Sequence, residues 1–189
     1  MKTDFALPPN LPRPVDDGAA AHLIGTAMPD VSLHSTAQKS VNVSALSAPR
    51  TVIYCYPMTG VPGKPLPAGW DEIPGARGCT PQTCGFRDLH ARIAENGVEI
   101  FGLSTQTSEY QREMAERLKV GFEILSDAEF RLCSALRLPT LNVDGMRLLK
   151  RLTLVVRGGR IEHVFYPVFP PNQSAEDVLR WVSAHQICD

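Results

Sequence analysis

Nowhere does the 189-residue sequence hold an apolar run approaching the roughly 18 to 20 residues that a membrane helix needs. Met1 to Pro14 has no basic segment followed by an apolar one, so no secretory leader is expected and the expected location is cytoplasmic. Clustered charge is missing as well. Lys and Arg number 19 against 20 Asp and Glu, a formal charge of −1 with no basic block, which leaves no electrostatic reason to expect nucleic acid or an anionic membrane as partner. The Cys-x-x-Cys spacing of general disulfide oxidoreductases does not occur. Paired zinc-ligand clusters are lacking too, and a zinc site at Cys79 and Cys84 would need His90 and a fourth ligand from elsewhere. No repeat or second domain is visible. What is present is 43% apolar residues in a length suited to one core with extensions. There are also five cysteines, an odd number that points to reduced thiols with one or two in catalysis rather than to a secreted disulfide framework.

Two of those cysteines organise the chain. They lie in Gly78-Cys79-Thr80-Pro81-Gln82-Thr83-Cys84, where a Pro/Gly-rich stretch gives way to a predicted helix. Pro81 suits a first helical turn, Phe86, Leu89 and Ile93 form an apolar stripe, and Gly97 suits the C-terminal end. Cys79 is thereby placed at a helix N-terminus, where unsatisfied N–H groups and the positive end of the macrodipole favour an anion; it is read as the reactive thiol. Five residues along a regular helix correspond to about 7.5 Å of rise and set the two Cα atoms about 8 to 9 Å apart. A disulfide needs them within about 7 Å. The pair therefore reads as a reversible redox couple that must unwind the helix start to close.

Taken in order, Met1 to Pro29 is rich in Pro, Gly and Ala and reads as an extended arm on the surface or against a partner. The arm is placed at 1–24, one domain at 25–189, and an insertion loop at about 58–77 within it. Val31-Ser32-Leu33 and Val41-Asn42-Val43 alternate as a small hairpin or edge strands. Thr51 to Tyr56 is a continuous apolar run expected of a central strand buried on both faces. From Pro57 to Gly78, five prolines and five glycines exclude a helix or a central strand, and Trp70 and Ile73 are the expected anchors of the resulting loop. Val98 to Ser104 reads as the next strand, and Ser108-Glu109-Tyr110-Gln111 as a capping box opening a helix through Lys119. A short strand at Phe122 to Leu125 and a helix over Ala128 to Leu138 follow. Two apolar runs flanking Arg157-Gly158-Gly159-Arg160 predict a hairpin, and Ser174-Ala175-Glu176-Asp177 a capping box before a last amphipathic helix. The expected fold is α/β with a mixed central sheet flanked by helices.

On these residues the chain resembles the peroxiredoxins, in particular the bacterioferritin-comigratory or peroxiredoxin Q-like branch. The resemblance rests on Tyr54-Cys55-Tyr56-Pro57, on Gly78-Cys79-Thr80 through Cys84 with Phe86-Arg87-Asp88, on Phe101 to Ser104, and on Arg151-Leu152-Thr153-Leu154 before a hairpin. It spans roughly residues 25 to 185. It implies a thioredoxin-like fold, reduction of hydrogen peroxide and organic hydroperoxides, and no metal or organic cofactor. It makes Cys79 the peroxidatic cysteine, Cys84 the resolving one, and Arg151 the arginine that holds thiolate and peroxide. Thioredoxin or glutaredoxin would be the reductant, and the chain a monomer or homodimer. The family motif has Pro seven residues and Thr or Ser three residues before the peroxidatic cysteine; here Glu72 and Ala76 stand there. Pro57 with Thr59 are candidates for the displaced pair, and Thr80 or Thr83 for a substitute hydroxyl.

The cycle implied is attack of the Cys79 thiolate on the O–O bond, formation of a sulfenic acid, and its condensation with Cys84. The competing class is a redox-responsive binding protein using the same pair without turnover. Cys55 and Cys133 read as small buried hydrophobes, Cys188 as a terminal thiol, His163 as a non-catalytic hairpin residue, and Arg77 as either a solvated loop residue or an electrostatic neighbour of Cys79.

Overall fold

The computed structural model describes residues 7–187. In chain order the elements are β1 (Ser32–Ser35), β2 (Ser40–Asn42), β3 (Arg50–Cys55), α1 (Cys79–Ala94), β4 (Val98–Ser104), α2 (Ser108–Leu118), β5 (Ile124–Ser126), α3 (Arg131–Leu136), β6 (Thr140–Val143), β7 (Met146–Leu149), β8 (Leu152–Arg157), β9 (Arg160–Phe165) and α4 (Ser174–Ala184). Seven strands form one sheet in the order β2-β1-β5-β4-β3-β8-β9. β3 runs parallel to β4 and antiparallel to β8, so the sheet is mixed, as the chain's switch from helical crossovers to a hairpin implies.

The apolar run is the central strand expected, with all six residues of β3 buried. Its side chains alternate between two cores, as strand geometry requires. Ile53 and Cys55 meet Phe101, Leu103 and Leu154 on the face covered by α3. Val52 and Tyr54 meet Phe86, Ile93, Met114 and Val178 on the face covered by α1, α2 and α4. On that second face the Tyr54 ring stacks on Phe86 at 4.3 Å between centroids. Gly102 of β4 makes room for it, since a Cβ there would stand 2.8 Å from the phenol oxygen.

Several local elements differ from what the sequence implies. The α2 cap is Thr107, not Ser108: the Thr107 hydroxyl accepts from the Tyr110 amide at 3.3 Å. Ser174 is not a cap, because α4 is entered through a 3-10 turn over Pro171–Gln173 and its N-cap Gln173 is already in the helical region. The helix expected over Ala128 to Leu138 begins only at Arg131. Phe130 sits at φ 56, and the buried Asp127 carboxylate accepts from the Leu132 and Cys133 amides at 3.1 and 2.7 Å. The hairpin β6–β7 is an element beyond those expected, although its Asp144-Gly145 turn, at φ 48 and 73, carries the strongest short hairpin signature. Within the Pro57 to Gly78 loop a 3-10 turn over Trp70–Glu72 seats buried Trp70 against Ala76, Val143 and Leu148, with Ile73 beside it, so the loop has its own core.

From residue 7 to 28 the chain lies on the body of the protein. Asp17 accepts from Lys150 at 2.6 Å and from the Tyr166 hydroxyl at 2.7 Å, and Ala20 and Leu23 are buried in the α3-side core. Ala27 then bridges Arg160 at the edge of β9. No described helix is long and apolar enough to cross a membrane.

Candidate active site

Gly78 sets the geometry. Its backbone is left-handed at φ 103, and a Cβ would stand 2.3 Å from Pro171 Cγ, so only glycine fits. Cys79 follows as the first residue of α1, and the Gln82 amide donates to the Gly78 carbonyl at 3.0 Å to close the first turn. The thiol is 3% exposed and lies 3.5 Å from the Ala76 carbonyl, to which it donates.

Arg151 completes the site. It sits one residue before β8 rather than on a strand, is 3% exposed, and reaches over the start of α1. Its Nη2 donates toward Cys79 Sγ at 3.1 Å and to the carbonyls of Ala76 and Arg77 at 3.0 and 3.2 Å. Nε donates to the Gly75 carbonyl at 3.3 Å, and Nη1 to Gln82 Oε1. The loop carbonyls and Gln82 thus fix a buried cation whose open side is the sulfur. A guanidinium so placed stabilises a thiolate and any oxyanion formed beside it.

A cleft of about 400 Å³ opens over Cys79, with Thr59, Lys64, Trp70 and Arg117 among its walls. Of the candidate hydroxyls, Thr59 and Thr80 line this cleft, whereas Thr83 is fully buried and accepts from the Tyr54 hydroxyl at 3.3 Å. Thr59 is itself buried, and its amide and hydroxyl donate to Gln106 Oε1 at 3.0 and 3.2 Å. The Tyr110 hydroxyl and Gln106 Nε2 donate to the Thr59 carbonyl at 2.8 and 3.1 Å, so the cleft wall is tied to α2. At the motif position itself, Ala76 presents a buried methyl and a carbonyl.

Cys84 lies in the same helix, five residues on, 7% exposed and outside the lining of the cleft. Burial pushes its thiol up, with the nearby Arg87 charge opposing. Cys55, Cys79, Cys84 and Cys133 are all unbonded thiols. Cys55 and Cys133 are fully buried in the α3-side core, as small hydrophobes are. Cys188 lies outside the described residues. Arg77 pairs with Asp71 at 2.9 Å and is about a third exposed, and its carbonyl rather than its charge meets Arg151. His163 on β9 stacks on Trp181 at 4.8 Å and is not among the residues lining the cleft, and His90 meets the edge of Phe122 at 5.3 Å. Among the described residues no three His, Cys, Asp or Glu side chains gather as metal ligands.

Three residues of the site, Gln82, Gln106 and Ser174, are not singled out by the sequence. Gln82 could have been, since three residues after Cys79 it shares that residue's helix face. Ser174, which accepts from Gln82 Nε2 at 3.2 Å, arrives from the other end of the chain and left no local signal.

The Redoxin family model matches residues 23–179. Peroxiredoxin Bcp of Escherichia coli K12 is 28% identical over 167 residues, covering 85% of this chain and 96% of the relative. The chloroplastic peroxiredoxin Q of Sedum lineare is 25% identical over 156 residues, 82% of this chain and 75% of the relative. Among solved structures, peroxidoxin BcpB of Mycobacterium tuberculosis superposes with a TM-score of 0.70 at 23% identity, covering 87% of this chain and 98% of that one. Peroxiredoxin Q of Xanthomonas campestris gives 0.66 at 22%, over 84% and 92%. The fold is therefore thioredoxin-like, and the chain belongs to the Redoxin family, as a peroxiredoxin of the Bcp and peroxiredoxin Q branch.

Proposed function

We propose that this peroxiredoxin, a thiol peroxidase by class, reduces hydrogen peroxide and organic hydroperoxides with Cys79 as the peroxidatic residue, Cys84 as the resolving residue, and Arg151 as the electrophilic support. The observation that carries the assignment is the buried Arg151 guanidinium 3.1 Å from Cys79 Sγ, at a helix N-terminus, under an open cleft. The Cys79 thiolate attacks one peroxide oxygen, the O–O bond breaks, and the departing oxygen leaves as hydroxide or alkoxide that takes up a proton. Arg151 and the α1 amides stabilise the charge that shifts from sulfur to the leaving oxygen. Thr59 is the proposed replacement for the motif hydroxyl: its O–H donates to Gln106 Oε1, which leaves its oxygen lone pairs to accept from a peroxide O–H.

Cys84 then attacks the Cys79 sulfenic acid, forming the S–S bond and expelling water. A cellular dithiol protein of the thioredoxin or glutaredoxin kind regenerates both thiols, and the cytoplasm is the proposed location. The test is peroxide consumption with excess dithiothreitol, comparing the unaltered protein with Cys79→Ser and Cys84→Ser, with the disulfide mapped by mass spectrometry. Turnover lost in Cys79→Ser, together with a Cys79–Cys84 bridge in the oxidised protein, supports the proposal. Oxidation that stops after one equivalent despite excess dithiol, or a bridge to Cys55, Cys133 or Cys188, overturns it.

A further inference from the structure

Along one face of α1 and its cap, Gly78, Gln82 and Gly85 meet the segment 171–175 that leads into α4. Pro171 fills the space beside Gly78, and a Cβ on Gly85 would stand 3.5 Å from Ala175 Cβ. Between the two glycines, fully buried Gln82 donates Nε2–H to Ser174 Oγ at 3.2 Å while its Oε1 accepts from Arg151. Ser174 is 3% exposed and caps no helix. Its hydroxyl therefore has a tertiary role.

Gln82 lies between the two cysteines. Bringing their Cα atoms from about 8 to 9 Å to within about 7 Å unwinds the turn that carries it. We propose, resting on the assignment of Cys79 and Cys84 above, that the Gln82–Ser174 hydrogen bond is a latch that holds this turn wound against α4. It sets how long the Cys79 sulfenic acid persists before Cys84 reaches it. Gln82 is a positioning residue, and Ser174 is the fixed point on which it is held. While the latch is closed, a second hydroperoxide can transfer oxygen to the sulfenic sulfur, giving sulfinic acid and water or alcohol. When it opens, Cys84 displaces the sulfenic oxygen as water, and Arg151 loses its Gln82 partner. The strength of one hydrogen bond thus divides the sulfenic acid between the disulfide and irreversible oxidation.

The experiment is Ser174→Ala, which removes the latch and leaves Gln82 with Arg151. Reduced protein is mixed with hydrogen peroxide, quenched with an alkylating agent, and read by mass spectrometry, which separates the concentration-dependent attack from the concentration-independent closure. Closure is expected to accelerate about three- to tenfold, the worth of one net hydrogen bond. Attack stays within about twofold, and less sulfinic acid forms at excess peroxide. Ile53→Val, on the other face of the sheet, lowers overall stability without accelerating closure. Unchanged closure, a parallel fall in attack, or equal acceleration by Ile53→Val overturns the latch. Amide exchange of the reduced proteins reads the same opening without any chemistry. Exchange at residues 83–86 rises by the same factor in Ser174→Ala while β3 is unaffected, and no rise overturns the latch. If the unaltered protein fails to react with peroxide, the peroxidase assignment falls while exchange still decides the latch.

Discussion

Replacing Arg151 with Met tests the site most directly, because it keeps an unbranched chain of similar reach and removes the charge and the donors. In the reduced protein the guanidinium donates to three loop carbonyls, to Gln82 and to Cys79 Sγ, all within a nearly sealed environment. Two effects are expected, and they separate. The first is on stability: the carbonyls of Gly75, Ala76 and Arg77 lose a charged donor, which costs about 2 to 4 kcal/mol after relaxation and water entry. The second is on the attack step, where removing one preorganised donor in a buried site costs about 2.7 to 4 kcal/mol, a factor of roughly 10² to 10³ in rate. The assay is the second-order rate of hydrogen peroxide with Cys79 in a single turnover, at a temperature where urea titration shows both proteins folded. Arg151→Lys restores charge without the planar fork and is expected to recover only part of the loss. A folded Met variant reacting within about threefold of the unaltered rate would refute the role given to Arg151.

Further outcomes follow from other parts of the structure. Burial raises the Cys84 thiol, and only the thiolate reacts with iodoacetamide. Labelling of Cys84 in the Cys79→Ser protein should therefore still climb with pH above the ordinary thiol value of about 8.5; a plateau below pH 8 would contradict this. Gly102→Ala drives a methyl against the Tyr54 phenol, which Phe86 holds from behind, and should destabilise by about 1 to 3 kcal/mol in urea unfolding. The Asp17 carboxyl is held well below the usual carboxylate range, first by Lys150 and then by Tyr166. Its stabilising effect is complete above the unfolded value of about 3.9 and is lost as pH falls toward the lower folded value. The difference in urea midpoint between the unaltered protein and Asp17→Asn should be present at pH 6 and smaller at pH 3. A constant difference would place the effect in packing rather than in charge.

What could be read in the sequence was whatever depends on periodicity and on local backbone chemistry. The β3 run reads as doubly buried because both faces are apolar. The β8–β9 hairpin reads from its two successive glycines, which take the left-handed φ values of 56 and 72 that its turn needs without steric cost. Cys79 reads as a helix-start thiol because Pro81 and the Phe86, Leu89, Ile93 stripe fix the frame of α1. The misread caps share one cause. Ser108 and Ser174 have side chains that suit a cap, but the residue that caps is decided by where the chain enters the helix, and for Ser174 by the tertiary hydrogen bond from Gln82. The β6–β7 hairpin carried a legible Asp-Gly turn, yet its purpose, to close a small core over Trp70, is not encoded locally.

The sequence by itself thus determined the alternation of strands and helices outside the β6–β7 hairpin, the helix-start placement of Cys79, and the spacing that keeps Cys84 out of reach without unwinding. Only the tertiary structure decided what surrounds the sulfur. Arg151 is brought over Cys79 from 72 residues away, Thr59 is set into the cleft wall by Gln106, and Ser174 is laid against Gln82 from 92 residues away. Local pattern is written by neighbours along the chain, whereas a buried cation and its acceptors are paired by how the sheet folds, and that pairing leaves no mark within any one window of sequence.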